Sequence, residues 1–378
     1  MKAALAIRPK WRRASALSCL ALSCLVLACL TLACLTFACL SLAGPVAVSP
    51  ALADNWTVTG DLAGKGGASK DMSGIACATA SGFPRTCLVI DDELQAAQVV
   101  TLTDGKIIPG DLIPLISDSF KGRPVELDGE GVAFAENYFY VIGSHGRPRR
   151  SKDVTDPADE AARIAAGLAA SSKLVRLTYD AATGKIATDP AVPPSTALAR
   201  LIAAESLFAP FTDRPLEEGG ITIEGVAVLG ERLFAGFRGP VVKDDSGKDR
   251  AVILSAALGH FFDGKPADAK VHRLKLGPGR GVRDLAAFDG GVLVLAGPMQ
   301  SVNGTYSVYW WNGVTDRAKR LADLPDFFDT KQASKKDGAQ WKPEALLPLG
   351  RNANGVRVLL LLDSAKNGMP RSLRIAYP

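Results

Sequence analysis

Charged and titratable side chains recur in this chain beside short apolar runs that read as β-strands. Each stands at the start of one run or at the end of the run that follows it. In a pair of antiparallel strands, the start of the first and the end of the second lie at the same edge. We therefore expect one face of the folded protein to gather these groups: Glu130, Glu224, Arg283, Glu344, Asp91, Asp92, His145, Arg238 and Asp363.

Two kinds of binding chemistry suit this set. Carboxylate oxygens are the ligands that hard divalent cations prefer, so Glu130, Glu224 and Glu344 are candidates to hold Ca²⁺. The guanidinium groups of Arg238 and Arg283 could hold a phosphate or a carboxylate through paired hydrogen bonds. The remaining carboxylates are further candidates for the ligand-binding rim: Asp91, Asp92 and Asp363.

The candidate catalytic residues are His145, Glu130 and Glu224. His145 is the natural general acid or base, because an unperturbed imidazole titrates near neutral pH. The alternative is structural: each Glu could pair with an Arg of a neighbouring strand pair and hold the fold together. The sequence has no Gly-x-Ser-x-Gly and no His-Glu-x-x-His motif, so serine hydrolases and zinc proteases lack their usual anchors.

The short pattern that carries the charged groups recurs along the chain as a polar residue, a small or acidic residue and two apolar residues. It begins at Ser73, Glu130, Glu224, Arg283 and Glu344, at intervals of 57, 94, 59 and 61 residues. Further strand-like runs follow, and about four strands in a unit of this length are typical of a propeller blade. The sequence predicts an all-β fold, a single β-propeller over residues 54–378. Five blades are favoured, and six are the alternative.

The long interval predicts a two-helix insertion in the second blade, at about residues 153–209. Asp156 is a suitable N-cap, Pro157 suits the first helical position, and an Ala-rich segment runs to Ser171. A second helix-like pattern covers residues 195–207. The last repeat is one strand short, and we expect Asn55–Gly60 to complete it, so that no sheet edge is left open.

Residues 1–53 differ in kind from the rest of the chain. They hold five basic residues and no acidic residue, and the uncharged run from Ala14 ends at Ala51-Leu52-Ala53. This is typical of a secretory signal peptide and predicts a periplasmic or extracellular protein. An uncleaved membrane anchor is the alternative, because the apolar run is long enough to span a bilayer. Arg12-Arg13 is compatible with the general and with the twin-arginine export route.

The overall charge and the cysteine count change once this segment is set apart. The whole chain has 44 basic and 39 acidic residues, and residues 54–378 have 39 of each. A neutral chain with no basic stripe argues against nucleic-acid binding, and we expect a monomer. Five of the seven cysteines lie in the first 53 residues. Cys77 and Cys87 remain, and in an oxidising compartment they predict a disulfide across a hairpin, with two buried free thiols as the alternative.

Several of these motifs resemble a bacterial family known as domain of unknown function 3616. The resemblance extends over about residues 70–376 and rests on three groups of segments: Glu130–Ala133 with Tyr140–His145, Glu224–Ala227 with Gly236–Pro240, and Leu293–Pro298. The acidic-Gly-apolar repeat is more distantly similar to that of secreted phytase-like propellers with esterase-like activity. The first family has no established reaction, so the resemblance implies an exported propeller and no particular chemistry.

Two functions are therefore open from the sequence. The first is a propeller that binds a small anionic ligand or an envelope protein at the channel mouth, where the basic stretch Arg147–Lys152 could steer an anion. The second is a hydrolase of phosphate or carboxylate esters. In that case the rim carboxylates would hold Ca²⁺, and Arg238 and Arg283 would neutralise the charge of the substrate.

Overall fold

Five antiparallel sheets follow one another along the chain in the computed structural model, which describes residues 53–188, 192–328 and 340–377. Each sheet is a blade, and the chain is a five-bladed β-propeller, as the sequence predicted. The strands, in blade order, are Met72–Cys77, Arg85–Asp91, Ala96–Thr103 and Lys106–Pro114; Gly129–Ala135, Tyr138–Gly143, Leu174–Asp180 and Lys185–Thr188; Thr222–Leu229, Arg232–Lys243, Asp249–Ala257 and Lys270–Leu274; Arg280–Phe288, Gly291–Pro298, Ser307–Trp311 and Ala318–Asp323; and Gln340–Asn352, Gly355–Asp363, Arg371–Ile375 and Asp54–Asn55.

The core lies between the blades. The described residues form five hydrophobic clusters, and each cluster is filled mainly by side chains from two neighbouring blades. Leu293 and Leu295 of blade four, for example, pack with Leu346 and Leu360 of blade five. Because a blade is covered on both faces, its middle strands are continuously apolar rather than alternating, and this explains runs such as Val358–Leu362.

Every first strand contains a β-bulge at the first residue of the repeated motif. In each blade the ladder skips one residue between partners, for example between Gly129 and Gly131 and between Val282 and Asp284. The five skipped residues are Ser73, Glu130, Glu224, Arg283 and Glu344. A bulge leaves its extra residue out of the ladder and turns its side chain away from the regular alternation. The charged position of the repeat is therefore a structural position of the propeller.

The small second residue of the motif allows the first strands to approach each other closely. A Cβ on Gly131 would lie 2.9 Å from the backbone nitrogen of Val226 in the next blade. A Cβ on Gly225 would lie 2.7 Å from the nitrogen of Leu285. Both distances are too short for a side chain. Blade four carries Asp284 instead, and its carboxylate accepts a hydrogen bond of 2.6 Å from the nitrogen of Leu346 in blade five.

One fully buried charge joins three blades. Arg283 has no exposed surface, and its guanidinium forms ion pairs with Glu224 of blade three, with Nε and Oε2 3.4 Å apart, and with Glu344 of blade five. Glu224 is also paired with Arg238, whose Nη1 lies 2.9 Å from Oε1. Glu224 and Glu344 therefore pair with arginines and hold blades together, which is the structural alternative that the sequence left open for these residues.

The N-terminal segment was expected to complete blade five as one strand, but in the structure it is shared between blade five and blade one. Only Asp54 and Asn55 pair with blade five, next to Arg371 and Ser372. Thr57–Val58 instead pairs in parallel with the edge strand of blade one. The chain crosses from one blade to the other at Trp56, which is 4% exposed and packs in the cluster between them. Burial of this indole stops the segment from continuing as a single strand, and both blade edges are covered.

The helices lie close to the predicted places, but two strands separate them. The first, Pro157–Ser171, connects the second and third strands of blade two, and the Asp156 side chain caps it by accepting from the nitrogens of Ala158 and Asp159. The second, Ala197–Ala204, follows the last strand of blade two and packs between blades two and three. The other short helical elements are Leu258–Phe262, Ala209–Phe211, Leu216–Glu218 and Lys366–Gly368.

Two further expectations concern the N-terminal half of the chain. Cys77 and Cys87 face each other across the first two strands of blade one and form the predicted disulfide. The predicted signal peptide, residues 1–53, lies outside the described residues except for Ala53. Among the described residues, no helix is both long and apolar enough to cross a membrane.

We expect the disulfide to stabilise the protein by about 2–3 kcal/mol, because it restricts the unfolded chain over a loop of ten residues. Urea unfolding of the wild type with and without a reducing agent measures this difference. The Cys77→Ala/Cys87→Ala variant is the control, since its stability should not respond to reductant. Reaction of Cys77 or Cys87 with a thiol reagent in the denatured, unreduced wild type would contradict the pairing, and peptide mapping distinguishes them from the five cysteines of residues 1–53.

We expect Arg283→Met to lower the free energy of unfolding by about 3–5 kcal/mol, because it leaves the buried carboxylate of Glu344 without its counter-charge. Adding Glu344→Gln should recover part of the loss, so the double variant should be less destabilised than the sum of the single changes. Urea unfolding of all three variants tests this. Lys65→Met is the control, because it removes only an exposed pair with Glu126 and should cost less than about 1 kcal/mol. Strict additivity would show that the two groups do not interact.

Candidate ligand-binding cavity

A cavity of about 940 Å³ lies at the starts of the first strands of blades two and three. Its floor comes from the propeller and includes Asp92, Asp128, Glu130, Glu224 and Arg238. Its walls come from segments outside the regular blades. These are the residues from Phe120 to Glu126, the turn from Gly146 to Arg149, part of the helix Pro157–Ser171, and the short helical turn at Leu216 and Glu217.

The helix inserted in blade two is a wall of this cavity. Asp159, Arg163, Gly167 and Ser171 of that helix line it. A Cβ on Gly167 would lie 2.7 Å from a ring carbon of Pro148, so the absence of a side chain lets the helix pack against the Gly146–Arg149 turn. The insertion therefore has a role in the site as well as accounting for the long interval in the repeat.

Three carboxylates meet on the floor. One ligand oxygen from each of Asp92, Asp128 and Glu130 can be chosen so that all three lie within 4.8 Å of one another. Asp92 follows the second strand of blade one, Asp128 precedes the first strand of blade two, and Glu130 is the bulge residue of that strand. We call this group the carboxylate trio.

Among the described residues no member of the trio forms an ion pair, and the attraction of Arg238 for Glu130 and of Arg149 for Asp128 only partly offsets their burial. Burial, together with the charge of Asp128, raises the pKa of Asp92 to about 9. Burial also raises the pKa of Glu130, with a further contribution from Glu224 and Asp128. The pKa of Asp128 is raised by burial, against the opposing effect of its hydrogen bond from Ser144. Each group is held in a site that favours its neutral form unless a cation is present.

Asp128 is fixed by its neighbours. The Ser144 hydroxyl donates a hydrogen bond to its Oδ2 and accepts one of 3.0 Å from the nitrogen of Gly146. The backbone of Asp128 has a positive φ of 53°, a conformation that Asp tolerates better than most residues. The carboxylate of Asp128 is therefore positioned by its own backbone conformation before the first strand of blade two and by Ser144 after the second strand.

Most other charged groups at the cavity have partners. The ion pairs that involve cavity residues are Lys121 with Asp159, Arg149 with Glu217, Arg163 with Glu160, Lys65 with Glu126, and Arg238 with Glu224. Among the described residues, the lining cations Arg123 and Arg147 form no ion pair. The charges left over are thus the carboxylate trio on the floor and two guanidinium groups on the walls.

The nine side chains predicted to share one face do not all reach this cavity. Four of them line it: Asp92, Glu130, Glu224 and Arg238. The others are engaged elsewhere. Asp91 is buried and accepts from the Ser69 hydroxyl at 2.6 Å, and Asp363 pairs with Lys342. Arg283 and Glu344 are paired with each other.

His145 lies behind the cavity wall rather than on its surface. It is 5% exposed, and its Nδ1–H donates to the carbonyl oxygen of Gly143 at 2.9 Å. Its Nε2 has no hydrogen-bond partner among the described residues. Burial lowers the pKa of this imidazole to about 4, so the ring is neutral at neutral pH. The candidate general acid or base is therefore separated from the cavity.

Two residues of the cavity, Asp128 and Arg123, are not marked by the sequence patterns. Asp128 precedes the repeated motif by two residues, and the only local signal is an Asp-Gly pair ahead of a strand. Arg123 lies on a short hairpin between blades one and two, outside the repeat. Arg147 was included only as part of a basic stretch. None of these positions is marked by periodicity, because all three lie outside the regular ladders.

Comparison with solved structures finds distant similarity. An exo-β-1,3-galactanase from Phanerochaete chrysosporium has a TM-score of 0.41 and 10% identity, covering 86% of this chain and 63% of that one. A GH43 endo-arabinanase from Bacillus licheniformis has a TM-score of 0.33 and 11% identity, with 85% and 97% covered. A hypothetical selenium-binding protein from Sulfolobus tokodaii has a TM-score of 0.35 and 9% identity, with 82% and 80% covered. The chain thus spans less than two thirds of the first of these proteins.

Comparison with families is more specific. No curated protein matches the chain. A family profile described as "Protein of unknown function (DUF3616)" matches residues 85–372, which include all of blades two, three and four. The chain belongs to this family.

Proposed function

We propose that this protein is exported and binds a small anionic ligand in the cavity. The observation that carries this proposal is the pair of guanidinium groups, Arg123 and Arg147, that line the cavity without an ion-pair partner among the described residues. A volume of about 940 Å³ lies within the range of small-molecule sites, which are roughly 300–1,000 Å³. The ligand is therefore a small molecule that carries a phosphate or carboxylate group.

The chemistry of the walls supports this class of ligand. A guanidinium presents several N–H donors in a fixed plane and can bind a phosphate or carboxylate through two parallel hydrogen bonds. Arg147 is half-buried, so its charge is less screened by water than that of a fully exposed side chain. The pairs Lys121 with Asp159 and Arg149 with Glu217 are neutral overall, so the two free cations dominate the wall.

Binding is preferred to ester hydrolysis. Hydrolysis needs a nucleophile or an activated water with a base beside the substrate. Of the three candidate catalytic residues, His145 does not line the cavity, and Glu224 does so but is held in ion pairs with Arg238 and Arg283. Glu130 is thus left without a second catalytic group from this set. Export is supported by the signal-like composition of residues 1–53 and by the disulfide, which is characteristic of oxidising compartments.

Titration with phenyl phosphate and with succinate, followed by calorimetry, tests the proposal. We expect saturable binding of at least one of the two anions to the wild type. Arg147→Gln should weaken that binding by at least about 10-fold, because a hydrogen bond to a charged group contributes about 1.5–3 kcal/mol when it is formed in a shielded site. Arg123 lines the cavity but is exposed, so Arg123→Gln should weaken binding in the same direction by a smaller factor.

Arg150→Gln is the matched control. It removes the same charge from the same basic stretch, but Arg150 is exposed and does not line the cavity, so affinity should stay within about twofold. An equal loss in all three variants would indicate a general charge effect and would contradict a specific site. Turnover of phenyl phosphate in the same samples would favour the hydrolase instead.

A further inference from the structure

We propose that the carboxylate trio of Asp92, Asp128 and Glu130 binds one Ca²⁺ ion on the floor of the cavity. The three ligand oxygens lie within 4.8 Å of one another. Calcium binds oxygen at about 2.3–2.6 Å, so two ligands on opposite sides of the ion are about 4.6–5.2 Å apart. One Ca²⁺ ion can therefore contact all three carboxylates with at most a small adjustment of their side chains. Magnesium demands near-octahedral geometry at about 2.0–2.1 Å and keeps several of its waters, so a group of three carboxylates suits Ca²⁺ better.

An unpartnered buried side chain is the second observation that points to a cation. Glu130 is only 7% exposed, it lines the cavity, and its carboxylate has no hydrogen bond or ion pair within the described part of the chain. Oδ1 of Asp92 is also buried without a hydrogen-bond partner there. A buried carboxylate without a partner is strongly unfavourable, and buried charges in proteins are normally paired or coordinate a metal.

The position that Glu130 occupies in blade two is also occupied by a glutamate in two other blades. Glu130, Glu224 and Glu344 occupy the same bulge position of three blades. The protein supplies an arginine to two of them, since Arg238 and Arg283 pair with Glu224, and Arg283 also pairs with Glu344. Glu130 is instead placed beside two more carboxylates. The same structural position is thus neutralised by the chain in blades three and five but not in blade two.

The site is also built to leave room for a ligand. Three carboxylates supply only part of the six to eight oxygens that Ca²⁺ takes. All three line the cavity, so the open positions of the ion would face the space where Arg123 and Arg147 are free. If the proposed function is correct, and this step rests on it, one anionic group would contact both the ion and the guanidinium groups. Each ligand would then strengthen the binding of the other by the same factor.

Calcium titration of the chelator-treated full-length protein tests the site. Calorimetry should show one Ca²⁺ ion per chain, and Ca²⁺ should raise the melting temperature of the protein. Asp92→Asn and Glu130→Gln should each weaken Ca²⁺ binding by at least about 10-fold, because each removes a charged ligand. In the described part of the chain neither carboxylate has a hydrogen bond or an ion pair to lose, so without Ca²⁺ both variants should melt no lower than the wild type, which separates loss of binding from loss of folding.

Glu217→Gln is the matched control, because Glu217 also lines the cavity but is paired with Arg149. Its Ca²⁺ affinity should equal that of the wild type. The proposal is overturned if millimolar Ca²⁺ gives neither heat nor a shift in melting temperature. It is also overturned if Asp92→Asn and Glu130→Gln bind Ca²⁺ like the wild type, or if Mg²⁺ binds as tightly as Ca²⁺.

A final titration separates this proposal from the proposed function. Phenyl phosphate should bind the wild type about 10-fold more tightly with saturating Ca²⁺ than with chelator, and this difference should disappear in Glu130→Gln. If Ca²⁺ binds as expected but phenyl phosphate and succinate do not bind under either condition, the cation site is supported and the anion-binding function is rejected.

Discussion

The burial of Arg283 without any exposed surface is the constraint on which the centre of this propeller depends. A guanidinium in that position must be neutralised, and among the described residues its ion-pair partners are the carboxylates at the matching positions of the blades on either side, Glu224 and Glu344. Arg238 completes the neutralisation of Glu224. The positive charges of Arg238 and Arg283 are therefore both paired with carboxylates of blades three and five.

The consequence is an uneven distribution of charge around the ring. Blades one and two contribute three carboxylates, Asp92, Asp128 and Glu130, and in the described part of the chain none of them forms an ion pair, although Arg238 attracts Glu130. Burial and the neighbouring carboxylates raise the pKa values of all three groups, so each binds a proton more readily than a carboxyl group in water. One side of the centre is therefore a closed set of ion pairs, and the other is an acidic floor that opens into the cavity. The pairing of Arg238 and Arg283 with Glu224 and Glu344 therefore both stabilises the ring and leaves the carboxylate trio without an ion pair among the described residues.

The repeated motif has two structural roles, one for its first residue and one for its second. Its first residue is a bulge in every blade, which removes that side chain from the ladder. Its second residue is small in every blade except blade four, which carries Asp284, and this lets the first strands pack closely. Both features are needed for the blades to meet at the centre. Whether a given charged residue at the bulge supports the ring or faces a ligand depends on which groups the neighbouring blades bring to it.

Much of the architecture follows from the sequence alone. The motif spacing predicted five blades, the composition between Asp156 and Ser171 predicted a capped helix, and the two cysteines outside the N-terminal segment predicted their disulfide. These features depend on local patterns, namely the period of apolar residues, capping and cysteine spacing. The sharing of the N-terminal strand between two blades was not predictable in this way, because it depends on where Trp56 finds a hydrophobic cluster.

The site was less predictable than the fold, for a physical reason. The sequence placed nine side chains on one rim, and only Glu130, Glu224, Arg238 and Asp92 of these line the cavity. It could not show that Glu224 is neutralised while Glu130 is not, nor that Asp128 completes the trio. Charge pairing is a matter of distances between groups that are far apart in the chain. The sequence alone therefore determined which side chains the blades present, and only the tertiary structure decided which of them remain unpaired.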